Sequence, residues 1–334
     1  MSAVAIVQTA FIGDVILATP LFEAARAACP GETIEAVVRK GCENLVMNNP
    51  YVDVIVPWDK HGVEKGITGI RLIARTIRDV GIHTAVVPHR SLRSSIALLL
   101  AGVKTRIGFA KGGGSLLHTI RVPYRLGVHE VERNLELARA AGWKHEGFRP
   151  AIFPNDIDRS VVGDIVRDLG PFCVLAPGSV WATKMWPAEY YIRVGGEYAK
   201  RGLGIVLSGG PDDETLCRGI AGNVPGAVPV AGLLTLRQSA ELYRRARFVL
   251  TGDSAPQHIA AAMDARVFSI FGPTVRDFGF WPYTDRGVVI EESLDCRPCG
   301  THGHRECRED HHRCMRAVTP DRVIGIIDGT LDDS

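Results

Sequence analysis

Two α/β domains, each a parallel sheet covered by helices, are what this sequence predicts, and three observations predict them. Apolar runs of strand length alternate with stretches of helical period. The alternation pauses at a Pro- and Asn-bearing segment, residues 149–155, and then starts again. The length, 334 residues, is enough for about two domains. Parallel strands need a crossover between them, so this alternation selects a helix-covered parallel sheet.

In chain order, residues 3–7 form an apolar strand, followed by a Gly-containing turn and a helical pattern over 15–28. Strands are expected at 33–38, 54–56 and 84–87, with a helix at 66–80. The second series has strands at 172–176, 204–207, 248–250 and 267–270, and helices at 187–201, 235–246 and 255–263. A last helix, 320–329, follows an irregular Cys-rich stretch. The expected division is 1–155, 156–317 and a terminal segment 318–334, for which packing back on the first domain is left open. Ligands of open parallel sheets bind outside the carboxyl ends of the strands, so function is expected in a cleft between two such domains.

Composition removes several classes. Residues are 46% hydrophobic and 23% charged, and the glycines and prolines are scattered, which excludes collagen-like and low-complexity chains. The longest apolar run, 96–103, is far short of the roughly 20 residues that span a bilayer. No basic, uninterrupted signal-type segment opens the chain, since Asp14 breaks the first apolar stretch. A cytoplasmic location is therefore expected, with the eight cysteines as thiols, metal ligands or catalytic groups.

Charge is uneven. Residues 1–155 hold 19 Lys and Arg against 13 Asp and Glu, and the remainder holds 20 against 24, giving halves of +6 and −4. Between 71 and 129 there are ten Lys or Arg and one acid, Asp79. Such a stretch attracts a polyanion, either nucleic acid, an anionic membrane or a phosphorylated substrate, or else it is a set of solvated helix faces.

Five segments carry candidate chemistry. The first strand-to-helix turn, Thr9-Ala10-Phe11-Ile12-Gly13-Asp14, lacks the three-glycine dinucleotide fingerprint. Asp14 fits a helix cap, the commoner role from spacing alone, or a general base facing the cleft. In the second series, Ala176-Pro177-Gly178-Ser179 follows a strand and Lys184 precedes Trp186-Pro187. A flexible lysine there can meet a phosphate or be simply solvated. Ser208-Gly209-Gly210-Pro211-Asp212-Asp213-Glu214 offers acids for a ribose diol or for the helix dipole. Thr251-Gly252-Asp253-Ser254-Ala255-Pro256-Gln257-His258 opens a helix directly after a strand and reads as a diphosphate cradle, Asp253 fixing the loop or meeting a sugar hydroxyl, the plainer alternative being that Asp253 and Ser254 are only a helix-cap pair. His258 is either a contact or a core histidine. Cys296-x-x-Cys299, Cys307 and Cys314, with His302, His304, His311 and His312 interleaved, raise zinc. Only the first pair has the usual spacing, so reduced thiols in a packed loop stay the leading account.

Taken together, Phe11 to Pro20, Pro177-Gly178-Ser179 through Lys184-Met185-Trp186-Pro187, and Thr251 to His258 resemble the bacterial ADP-heptose:lipopolysaccharide heptosyltransferase family, glycosyltransferase family nine. The likeness runs nearly end to end. His129-Glu130-Val131-Glu132-Arg133-Asn134-Leu135 and the Cys296–Cys314 stretch look most like its heptosyltransferase II branch. The resemblance implies a GT-B type fold of two Rossmann-like domains. It places the acceptor, a phosphorylated Kdo-bearing lipid A core, on the first domain and ADP-L-glycero-D-manno-heptose on the second.

By the same resemblance Asp14 is the general base of an inverting displacement that requires no metal or other cofactor. Ser179, Lys184, Asp253, Ser254, Ala255 and His258 would bind the donor, with Lys184 and the helix start steadying the departing diphosphate. Glu214, or Asp213 beside it, would hold the ribose. Arg93, within Ser91-Leu92-Arg93-Ser94, and Lys111, beside Gly112-Gly113-Gly114, would meet the acceptor. Ala255 departs from the family, where glycine is usual. A lipid-anchored acceptor implies peripheral contact with the cytoplasmic face of the inner membrane. Within the family the alternative is a heptosyltransferase of the I or III type, and outside it two rivals are a nucleotide-sugar epimerase of similar fold and, second, a metal-bearing nucleic-acid-binding protein. The second is weakened because the basic residues lack an interleaved series of stacking aromatics.

Overall fold

A computed structural model describes residues 2–60, 62–144 and 147–332. The chain divides into two compact units between Phe153 and Pro154. The first contains β1 (Ala3–Gln8), α1 (Ile12–Leu17), α2 (Pro20–Ala28), β2 (Thr33–Arg39), α3 (Glu43–Val46) and β3 (Val54–Trp58). It continues with α4 (Gly66–Val80), β4 (Ile82–Val87), α5 (Leu92–Ala101), β5 (Thr105–Phe109), β6 (Ile120–Val122) and α6 (Glu130–Ala140).

The second unit runs α7 (Asp156–Val166), β7 (Phe172–Ala176), α8 (Ala188–Lys200), β8 (Gly204–Leu207), α9 (Glu214–Ala221), β9 (Val228–Pro229) and α10 (Leu236–Arg245). There follow β10 (Val249–Gly252), α11 (Ala255–Ala262), β11 (Val267–Phe271), β12 (Gly287–Glu291), α12 (Arg313–Arg316) and α13 (Pro320–Asp332).

Each unit holds a six-stranded sheet, ordered β3-β2-β1-β4-β5-β6 and β12-β11-β10-β7-β8-β9, with neighbouring strands parallel. This is the doubly wound Rossmann-like order, and GT-B proteins are built of two such domains. Strand order reverses between β1 and β4 in one sheet and between β7 and β10 in the other. Loops diverge at those points and leave room for ligands.

Local chemistry accounts for the elements. β1 is buried along its whole length, as a central parallel strand must be. α4 points Ile70, Ile73, Ala74 and Ile77 at the sheet in helical period and ends at Gly81 in the left-handed region (φ 80°). α10 starts with a Thr235/Gln238 capping box. The single helix expected over 15–28 is two, because Pro20 lacks an N–H and its ring clashes with the preceding turn, so it opens a new helix. The sequence reading also passed over β5 and β6, which are short and carry Arg106 and Arg121 in place of an unbroken apolar run.

α13 belongs to the second unit's own core. Val323 and Ile327 are buried there, Trp186 Nε1 donates to the Val318 carbonyl at 2.9 Å, and Arg201 grips Asp328 at 2.9 Å through both carboxylate oxygens. Among the described residues, no helix is long and apolar enough to cross a membrane.

Candidate active site

In the second unit the predicted donor residues gather at the reversal between β7 and β10. Lys184 sits on the turn between β7 and α8, and its ammonium lies 2.5 Å from Asp253 Oδ2 and 3.2 Å from the Asp253 carbonyl. Both side chains are largely buried. Thr274 Oγ1 also donates to Oδ2, at 2.5 Å, and Gln257 Nε2 donates to Oδ1 at 2.8 Å. Asp253 thus holds Lys184 and fixes its own loop through Thr274 and Gln257.

Ser254 caps α11 with its backbone and donates its hydroxyl to the Gly178 carbonyl at 3.3 Å, tying the loops after β7 and β10 together. Ser179 accepts from the Trp181 N–H at 3.2 Å, and Ala255 opens α11. His258 is buried, and burial drives its pKa down to about 4, so the ring is neutral with Nδ1 unpartnered.

The two acids considered for the ribose part company. Glu214 faces outward and pairs with Arg218 at 2.6 Å. Asp213 folds back over the strand ends and accepts the Gly210 N–H at 2.8 Å. A Cβ placed on Gly178 would stand 2.1 Å from Asp213 Oδ1, and one on Gly209 would stand 2.6 Å from Asp213 Cβ. Only glycine permits that approach.

The Cys-rich stretch clamps this loop. The Thr183 N–H donates to the His304 carbonyl at 3.1 Å, the His304 N–H donates to Thr183 Oγ1 at 2.8 Å, and His312 Nε2 lies 2.9 Å from the Thr183 carbonyl. Arg297 reaches the Thr274 carbonyl at 2.7 Å, and so braces the residue that holds Asp253. Among the described residues no group of three or more His, Cys, Asp or Glu is arranged to hold a metal.

In the first unit Asp14 is not the N-cap expected from spacing: α1 starts earlier, with Phe11 at the cap, and Asp14 is its third residue, accepting the Phe11 N–H at 3.2 Å from within the first turn. Part of the residue reaches solvent, yet burial of the carboxyl, with help from the charge of Glu130, pushes its pKa up to about 7. Glu130 accepts from Arg133 Nε at 2.7 Å and from the Tyr124 hydroxyl at 3.1 Å. Arg90, Arg133 and Lys111 lie 4.4, 4.5 and 5.5 Å from the centre of the Tyr124 ring. Lys111 therefore joins a cationic group beside the Glu130–Asp14 pair.

Arg93 stands elsewhere, donating to the Lys60 carbonyl at 2.9 Å. The Lys60 ammonium is buried between the ends of β1, β3 and β4, donating to Thr9 Oγ1 at 2.5 Å, Ser94 Oγ at 2.7 Å and Ser91 Oγ at 3.3 Å. No described carboxylate pairs with it, and burial, aided by Arg93, pushes its pKa down to about 7. Thr9 Oγ1 also meets His89 Nδ1 at 2.9 Å. Burial, together with the charges of Lys60, Arg90 and Arg93, pushes the His89 pKa down to about 4, so its ring is neutral and the positive charge of this corner comes from Lys60 and from Arg93 at the start of α5.

Sequence reasoning gave no role to Lys60, His89, Glu130, Tyr124, Gln257 or Thr274. Glu130 lay within a segment quoted for its resemblance, and Gln257 within the predicted cradle. Tyr124 bonds Glu130 six residues on without forming a motif, and the partners of Lys60, His89 and Thr274 are distant in sequence.

Comparison with known proteins follows the same lines. Residues 70–311 match Glycosyltransferase family 9 (heptosyltransferase). Lipopolysaccharide heptosyltransferase 1 of Pseudomonas aeruginosa is 26% identical, with 98% of each chain covered. Lipopolysaccharide heptosyltransferase 2 of Escherichia coli K12 is 22% identical, covering 98% of this chain and 97% of that one. The fold is also that of E. coli ADP-heptose lps heptosyltransferase II, at TM-score 0.83 and 21% identity over 99% of each chain. A family 9 glycosyl transferase from Veillonella parvula shares it at TM-score 0.85 and 20% identity, over 100% of this chain and 98% of that one. The match spans well over half the chain and decides between transfer and the epimerase and nucleic-acid readings: this protein is a glycosyltransferase and belongs to glycosyltransferase family 9, the heptosyltransferase family.

Proposed function

We propose that the protein moves L-glycero-D-manno-heptose from ADP-heptose to the heptosyl-Kdo-lipid A inner core of lipopolysaccharide, with inversion at the anomeric carbon. The observation that carries the donor side is the Lys184–Asp253 pair, seated beside the start of α11 at the β7/β10 reversal. Lys184 and the first N–H groups of α11 meet the diphosphate, Ser179, Ser254, Ala255 and His258 line it, and Asp213 takes the ribose diol in preference to Glu214.

On the acceptor side, an acceptor hydroxyl attacks the anomeric carbon and passes its proton to the ionised Asp14 as ADP departs with the bonding electrons. The anionic groups of the core meet Arg93 and Lys111, with Lys60 behind Arg93. A lipid-anchored acceptor places the enzyme at the cytoplasmic face of the inner membrane.

Mass spectrometry of purified Kdo-lipid A, with and without its first heptose, incubated with ADP-heptose tests this. Transfer only to the heptosylated acceptor is expected. Transfer only to the unheptosylated acceptor would make it the enzyme that adds the first heptose, and transfer to neither would return donor and acceptor to open choice.

A further inference from the structure

α5 is apolar on both sides. Ala97, Leu98 and Ala101 pack into the core beneath it, while Leu92, Leu99 and Leu100 remain 45–47% exposed on the outside. A surface helix ordinarily keeps one apolar stripe and turns polar residues outward. α4 lies alongside, joined by Arg78 donating to the Leu100 carbonyl, and adds Ile67, 69% exposed, and Leu72. The 112–117 loop completes the patch. A Cβ on Gly113 or Gly114 would press on Leu92 or Ser95, so the loop hugs the start of α5 and carries Leu116, 83% exposed.

The same elements carry exposed cations: Lys65 at the cap of α4, Arg71, Arg75 and Arg78 along it, Lys104 after α5 and Lys111 before the loop, against Glu64 and Asp79. A contiguous exposed apolar patch marks an interaction site, and these cations select an anionic partner. A second copy would bring the same cations face to face.

We propose that the outer face of α4, α5 and the 112–117 loop docks on an anionic bilayer. Its leucine and isoleucine side chains enter the headgroup layer, and its arginines and lysines pair with lipid phosphates. The inference rests on the lipid-anchored acceptor proposed above and names the surface that reaches it.

Flotation of the whole chain with vesicles of phosphatidylglycerol and phosphatidylethanolamine, beside vesicles of phosphatidylcholine alone, tests it. The protein is expected to float with the anionic vesicles and to stay partly bound at high salt. Ile67→Ser/Leu92→Ser/Leu116→Ser is expected to weaken partitioning roughly tenfold without lowering the melting temperature. Arg71→Gln/Arg75→Gln, which leaves every apolar contact in place, should weaken it mainly at low salt. The surface is wrong if the protein floats with neither vesicle, or if binding is fully salt-released and untouched by the triple substitution. Dimers in ultracentrifugation that the triple substitution dissolves would also overturn it. Transfer to a lipid-free core fragment should persist in the triple variant. A chain that floats yet transfers nothing would keep the surface and sink the proposed reaction.

Discussion

The ammonium of Lys184 is held 2.5 Å from Oδ2 of Asp253, while Thr274 and Gln257 occupy the rest of that carboxylate. Removing either partner has unequal consequences. Asp253→Ala strands a buried ammonium, and urea unfolding is expected to show a loss of about 3–5 kcal/mol. Lys184→Ala leaves an acid still bonded by two neutral donors, so less stability is lost and the damage appears in function. We expect weaker ADP binding by calorimetry and a drop in kcat/KM of about 10²- to 10³-fold. Unaltered ADP affinity and turnover in Lys184→Ala would reduce the pair to scaffolding.

Asp14 can accept a proton only when ionised, and burial with the Glu130 charge holds its pKa at about 7. The rate of transfer should therefore rise with pH through about 7. Glu130→Gln removes a charge that raises the Asp14 pKa, so the rising limb should move to lower pH, read from kcat profiles of both proteins. A limb that stays in place would disprove the coupling. Asp14→Asn keeps an oxygen for the Phe11 N–H, so it should fold normally while kcat falls about 10²- to 10⁴-fold. Turnover within a few-fold of the parent would end the general-base assignment.

The sequence exposed most where the chemistry is local. Buried parallel strands such as β7 and β8 read directly as apolar runs, and the α11 start announces itself in Asp253-Ser254-Ala255-Pro256. From spacing alone Asp14 fits a cap better than a base, because the burial that perturbs it exists only in the folded unit and the Glu130 charge that adds to it arrives from α6 more than a hundred residues later. Lys60 was illegible for the same reason. Thr9, Ser91 and Ser94 meet it only once β1, β3 and β4 are assembled. The cysteines suggest ligands by their spacing, whereas the contacts of this stretch with the Lys184 loop run from Thr183 to the His304 backbone and the His312 ring.

Those contacts give a prediction for a residue next to the proposed diphosphate site. Thr183→Val keeps the shape but loses the hydroxyl that accepts from the His304 N–H at 2.8 Å and donates to the His304 carbonyl at 3.0 Å. The His304 carbonyl keeps the Thr183 N–H, so the partly buried His304 N–H is the group left behind, at a cost of about 1 kcal/mol in thermal or urea unfolding. With Lys184 the next residue, the donor KM should rise roughly tenfold, equivalent to about 1.4 kcal/mol. Thr183→Ser should restore both. A stability loss with an unchanged donor KM would confine the clamp to folding.

Glu35 sets an opposite kind of test, on stability alone. It lies within β2, opposite Ala5 of β1 and Val54 of β3, fully buried with neither carboxylate oxygen bonded. Burial pushes its pKa up from 4.5 to about 7. The folded state therefore favours the protonated acid. That contribution is fully present below the unfolded pKa and is lost as pH rises through about 7, where the fold must bury a charge or bind a proton. The shift corresponds to roughly 3 kcal/mol at most. Glu35→Gln, which cannot ionise, should be more stable than the parent at pH 8 and lose that advantage at pH 5. Urea unfolding at the two pH values measures the difference. An equal change at both would mean that Glu35 meets a partner or solvent when charged.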